Sequence, residues 1–165
     1  AIQGGIFFAC IAAYFYLKKH QIPVLPFADT VTPGIILGQA IGRIANFMNG
    51  DAFGHPTGHD FGLLYPDTTL AYHTYGAQPL WPAEVWECQG DLLIFVLLLW
   101  YGCKTRAEGT TFCLYIMFYS LLRFFLENYR GDYGTLALGL KSAQLTSLAA
   151  FAGAFILFLY FHFKH

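Results

Sequence analysis

Residues 42–54 read Gly-Arg-Ile-Ala-Asn-Phe-Met-Asn-Gly-Asp-Ala-Phe-Gly, with Arg43, Asn46 and Asn49 spaced by three. Residues three apart share a helix face, so a guanidinium and two carboxamides form a donor-rich wall there. A guanidinium is a planar fork that fits phosphate or carboxylate through paired hydrogen bonds. The chemistry indicated is anion binding. A second set, Tyr119, Arg123, Glu127 and Arg130, falls at i, i+4, i+8 and i+11 and reads as one helical stripe. Arg123 and Glu127 can pair, which leaves Arg130 as an additional cation. A snorkelling arginine at a polar helix end and a self-neutralising ion pair are the ordinary explanations. The pair accounts for Arg123 and Glu127 but not for Arg43 or Arg130. Two segments that bring arginine to similar depth suit an anion, and a lipid phosphate is the natural one in an apolar chain.

Other sets are weaker. Glu84 and Glu87 stand one turn apart at the start of a segment opened by Pro82, where the helix dipole favours acids whatever their role. Gln3-Gly4-Gly5 permits close backbone approach. His55, His59 and His73 lack metal-ligand spacing. Cys10, Cys88, Cys103 and Cys113 form no C-x-x-C pair, and cysteines in apolar segments behave as small hydrophobes. No metal site and no organic cofactor is expected.

The elements that must position these residues are apolar. Of 165 residues 56% are hydrophobic and 12% charged, against about a quarter charged in soluble domains. A net charge of −1 offers no basic surface for nucleic acid. Five apolar segments appear, at about 2–17, 27–48, 82–101, 109–129 and 142–163. A bilayer-crossing helix needs ~20 mostly apolar residues, and the last three segments meet that well. The expected fold is all-α and polytopic, a single transmembrane domain over residues 1–165, with residues 50–81 as an irregular cap. If the segments alternate, Lys18, Lys19, Lys104, Arg106 and Lys164 share one side, while the 50–81 loop has no Lys or Arg. The positive-inside rule then puts the cap outside and the C-terminus in the cytoplasm. Arg43, Arg123, Arg130 and Lys141 lie near the outer side, against that rule. An ionised side chain at mid-depth costs at least ~2.5–3.5 kcal/mol, so a partner or ligand is required.

These motifs resemble the prolipoprotein diacylglyceryl transferase family. Arg43 to Gly54 is similar to its G-R-x-x-N-F-x-N-x-E-x-x-G signature, with Asp51 in place of Glu. Gln3-Gly4-Gly5 aligns with its His-Gly-Gly, and residues 81–87 with H-P-S/T-Q-L-Y-E. Arg123-Phe-x-x-Glu127-x-x-Arg130 matches a late span, and the stretch around Gln144 matches M-G-Q-x-L-S at the start of the last one. The resemblance implies that this chain is the later part of a seven-span bacterial inner-membrane enzyme. Its donor would be phosphatidylglycerol, drawn from membrane lipid. Its acceptor would be the lipobox cysteine at the signal peptide of a prolipoprotein, and glycerol 1-phosphate would leave. It also implies the roles: Arg43, Arg123 and Glu127 catalytic; Arg43, Asn46, Asn49, Arg123 and Arg130 on the lipid phosphate. Gln3, Gly4, Gly5, Asp51, Gly54, Glu87, Tyr119 and Gln144 are secondary candidates. Gln3 lacks the basic nitrogen of the family's His, and Trp81, Glu84 and Trp86 replace His, Gln and Tyr. The residues by themselves also fit a transporter or lipid-binding protein that holds an anion without reaction, or a diverged relative with another acceptor. A transporter requires a second, polar cavity mouth toward the inner side.

Overall fold

A computed structural model describes residues 2–103, 107–131 and 141–164, without the side chains of Ile2, Gln3, Ile6, Phe7 and Lys164. Its regular structure is helical: α1 (Ile2–Lys19), α2 (Val24–Asn49), α3 (Leu70–Tyr75), α4 (Ala83–Gly102), α5 (Thr110–Leu126) and α6 (Ser142–Lys164). Extended backbone among the described residues is confined to isolated bridges, such as Gly54 with Arg130 and Leu63 with Leu80. The all-α expectation holds, and the five apolar segments correspond to α1, α2, α4, α5 and α6. By length and composition α2 and α6 can cross a membrane. The apolar α5 has only 17 residues, and α4 carries Glu84, Glu87 and Asp91 on its buried side. Lys104 and Arg106 lie outside the described residues, as does the side chain of Lys164, and all three belong to the charge pattern that orients the chain.

The long helices pack in sequence, α2 on α4, α4 on α5 and α5 on α6, while α1 touches α2 only slightly. Ile36, Ile94 and Leu98 form the shared core, with Leu114, Phe118 and Leu122 of α5 against it. The outward faces remain apolar: Ile41, Ile44 and Met48 of α2, Leu93, Val96 and Trp100 of α4, and Ile156 and Tyr160 of α6 are exposed. Apolar surface on this scale suits lipid rather than water as the surrounding solvent.

Two local devices fix the start of α5 and the end of α2. Gly109 opens α5 without a side-chain cap, and Asp29 of α2 supplies one from across the interface. Its Oδ2 accepts from Gly109 N at 2.6 Å and its Oδ1 from Phe112 N at 2.8 Å, so one carboxylate satisfies two orphan donors and faces the positive helix end. α2 stops at Gly50, whose left-handed φ of 70° lets its N–H turn back to Asn46 and Phe47. The cap then folds over its own small core of Phe53, Ala71 and Leu80. It is an ordered layer containing α3, with Thr69 as N-cap.

Candidate functional site

The centre of the site is a carboxylate. Glu87, on the second turn of α4, has no solvent exposure, and three arginines reach it from other parts of the chain. Arg43 Nη2 on α2 lies 3.1 Å from Oε1. Arg123 Nη1 on α5 lies 3.7 Å from Oε2, and Arg130 Nη1, past the end of α5, lies 3.3 Å from the same oxygen. Tyr119 donates its hydroxyl to Oε1 at 3.3 Å. Arg123 Nη2 is also 2.7 Å from Glu127 Oε2, although off the hydrogen-bond axis. A buried carboxylate with several cationic partners offsets the desolvation that a single pair would leave uncovered. Around Glu87 and Glu127 stand three guanidiniums, so these five side chains retain an excess of positive charge.

The convergence expected of Arg43, Arg123 and Arg130 is present, with two corrections to its construction. Arg130 does not continue the helical stripe. α5 ends at Leu126, and the following turn is tightened by i→i+3 bonds such as Tyr129 N to Leu126 O at 3.0 Å. Arg130 reaches Glu87 from that turn. Asn49 does not join the wall either: it is exposed, whereas Arg43 donates to Asn46 Oδ1 at 3.1 Å. Each residue turns a helix by about 100°, so two steps of three carry Asn49 about 120° away from Arg43.

The secondary candidates divide. Glu87 and Tyr119 are central. Gly54 is structural: a Cβ there would collide with the carbonyl oxygen of Trp81, and its backbone bridges Arg130. Asp51 is half-buried, and its N–H donates to Asn46 O at 2.9 Å. Gln144 clasps α6 to the end of α5, donating to Asn128 Oδ1 at 3.0 Å. Gly4 and Gly5 are exposed on α1 with open space where a side chain would stand, so nothing approaches them closely among the described residues. The side chain of Gln3 lies outside those residues. Among the described residues no group of His, Cys, Asp and Glu is placed to hold a metal.

Two further buried acids stand beside the site. Glu84 and Asp91 flank Glu87 by one turn on either side, share its face and are likewise unexposed, with no hydrogen-bond partner among the described residues. Their spacing with Glu87, i, i+3 and i+7, is a helical face legible in the sequence. Beside the cluster a cavity of about 580 Å³ opens between α5 and α6. Arg123 and Ser142 line one end, Tyr119, Ser120, Thr146 and Ser147 its middle, and Tyr115, Ile116 and Ala150 the other end. The antiparallel helices thus grade it from cationic through hydroxyl-bearing to a mainly apolar end, where the Tyr115 hydroxyl donates to Gln39 Oε1 at 3.2 Å. A glycerolipid has the same gradient from phosphate to acyl chain.

A sequence profile of the family described as prolipoprotein diacylglyceryl transferase matches residues 1–160. The phosphatidylglycerol–prolipoprotein diacylglyceryl transferase of Corynebacterium efficiens is 34% identical over 170 residues, covering 96% of this chain and 52% of that protein. The Clostridium botulinum protein of the same name is 37% identical over 149 residues, covering 90% and 59% respectively. That of Clostridioides difficile is 37% identical over 166 residues, covering 100% and 62%. The chain therefore spans between 52% and 62% of the length of these relatives.

Proposed function

The chain belongs to the prolipoprotein diacylglyceryl transferase family, and from that premise we propose that it transfers the diacylglyceryl group of phosphatidylglycerol to the lipobox cysteine thiol of a prolipoprotein. The observation that carries this reading is the convergence of Arg43, Arg123 and Arg130 on Glu87 beside a cavity graded like a lipid. The lipid phosphate sits against the arginines and the acyl chains leave past Ile116 and Ala150. The cysteine thiol loses its proton as its sulfur forms a bond to the glyceryl carbon, and the carbon–oxygen bond to phosphate breaks. Glycerol 1-phosphate departs with that bond's electron pair as an added negative charge, which can take up the proton released. Fixed guanidiniums aimed at that developing charge lower the barrier without reorganising during the reaction. Arg123 is suited to this part: of the three arginines it is the one that lines the cavity.

The same reading places the protein in the bacterial inner membrane with five crossings in this chain, the 50–81 cap outside and the C-terminus in the cytoplasm. A second cavity, between α1 and α2, is walled by Ala12, Ala13, Tyr16, Leu17, Ile22 and Phe27, almost entirely through apolar atoms. That apolar lining is unlike the polar mouth an alternating-access transporter needs. The test is reconstitution with phosphatidylglycerol labelled in its acyl chains and a lipobox peptide. Label is expected on the peptide, with one glycerol 1-phosphate released per transfer, and none on a peptide with the cysteine replaced by serine. Binding of phosphatidylglycerol with no labelled peptide would favour a non-reacting anion-holding protein.

A further inference from the structure

Lys141 is a cation near the outer end of the bundle that the cluster around Glu87 does not use. Its Nζ donates to two backbone carbonyls, Glu127 O at 2.7 Å and Arg130 O at 2.6 Å. Both partners are neutral carbonyls, and no carboxylate pairs with Lys141 among the described residues. The two carbonyls belong to the residues whose side chains hold Arg123 and Glu87, and they bracket the turn after α5. Carbonyls at a helix C-terminus lack intrahelical donors, and a cation there is favoured by the helix dipole. The backbone N–H of Lys141 donates to Gln144 Oε1 at 3.0 Å, so the first turn of α6 is fixed by the same residue. On its other side the turn is held by the cap, through His55 N to Tyr129 O at 3.0 Å and Gly131 N to Phe53 O at 3.3 Å.

We propose that Lys141 is a positioning residue of the anion site. By gripping the carbonyls of Glu127 and Arg130, it sets the register from which Arg130 reaches Glu87 and the lipid phosphate, and it joins α6, one wall of the cavity, to that register. The inference rests on the functional reading above but concerns a residue outside the proposed clamp. Loss of the ammonium loosens Arg130 first, because Arg130 lies beyond α5, which ends at Leu126.

The test is a double-mutant cycle of Lys141→Met with Arg130→Gln in the reconstituted chain, since methionine keeps the stem without the donors. Lys141→Met is expected to lower kcat/KM for phosphatidylglycerol about tenfold in the wild type and less than about twofold in the Arg130→Gln background, the signature of residues acting through one another. Lys141→Arg, which can still donate to both carbonyls, should recover most of the loss. A second readout needs no turnover: glycerol 1-phosphate should raise the melting temperature of the wild type in detergent and raise that of Lys141→Met much less. Equal penalties in both backgrounds, or a lower melting temperature with an unchanged ligand-induced rise, would overturn the proposal. If Lys141→Met does not fold, Lys141→Gln carries the same cycle. A wild type that is stabilised by glycerol 1-phosphate in this pattern yet transfers nothing refutes the reaction and leaves Lys141 in place. No stabilisation and no transfer refutes both.

Discussion

Arg43 on α2 and Glu87 on α4 face each other with 3.1 Å between Nη2 and Oε1, and the carboxylate is wholly buried. This contact ties the wall begun by Arg43 and Asn46 to the helix against which α5 brings Arg123. Glu87 is thus the group that keeps three like-charged side chains within reach of one another.

Removing its charge is therefore expected to be severe. Glu87→Gln leaves three guanidiniums facing a neutral amide, and breaking a buried ion pair from one side typically costs about 3–5 kcal/mol. Thermal unfolding in detergent should show a large drop, and transfer should vanish with it. A melting temperature close to wild type would mean that the arginines do not depend on Glu87.

The neighbouring acids should behave oppositely. Glu84 and Asp91 are as buried as Glu87 but have no hydrogen-bond partner among the described residues. The isosteric changes Glu84→Gln and Asp91→Asn keep the shape and remove a group whose charged form burial disfavours and which has no hydrogen bond to lose, so the change is neutral or stabilising. Equal or higher melting temperatures, with transfer within about threefold of wild type, are expected for groups that make no contact with the reacting atoms. A loss of transfer as large as that of Glu87→Gln would give these acids a direct part in the chemistry.

Asp29→Ala tests the packing of α2 on α5. It removes the acceptor for Gly109 and Phe112, and loss of such a cap costs about 0.5–2 kcal/mol. Stability should fall by that amount while kcat/KM at low temperature stays near wild type, because the cap lies at the end of α5 away from Arg123. A selective loss of activity would contradict a purely structural role.

Local spacing explains how much of this was legible. Arg123 and Glu127 are four apart on one helix, so their pairing follows from α-helical geometry, as does the bond from Arg43 to Asn46. The apolar runs likewise locate the long helices to within a few residues. What local spacing cannot give is the partner across an interface. Arg130 and Glu87 are 43 positions apart, and the dipole at the start of α4 accounts for an acid there without invoking three arginines. The i+11 position of Arg130 fitted a stripe that the chain abandons at Leu126, where Lys141 and the cap take over the carbonyls. Asn49 was misplaced because steps of three fall short of a full turn.

The outer location of the cap is checked by a single cysteine at the exposed Asp60, with Cys10, Cys88, Cys103 and Cys113 replaced by alanine. A membrane-impermeant thiol reagent should label it in cells with a permeabilised outer barrier and an intact inner membrane. Labelling only after the inner membrane is lysed would invert the topology.

The account as a whole turns on Arg123 acting as a fork on the leaving phosphate. The decisive measurement is transfer from labelled phosphatidylglycerol to a lipobox peptide by Arg123→Lys, with thermal stability followed in the same preparations. Lysine keeps the charge facing Glu127 and Glu87 but loses the planar pair of donors. Losing one such bond to the developing charge costs about 2.7–4 kcal/mol, so transfer should fall by roughly a hundredfold or more while the protein stays folded. Near-normal transfer by a stable Arg123→Lys protein would contradict the account and reduce Arg123 and Glu127 to a structural ion pair.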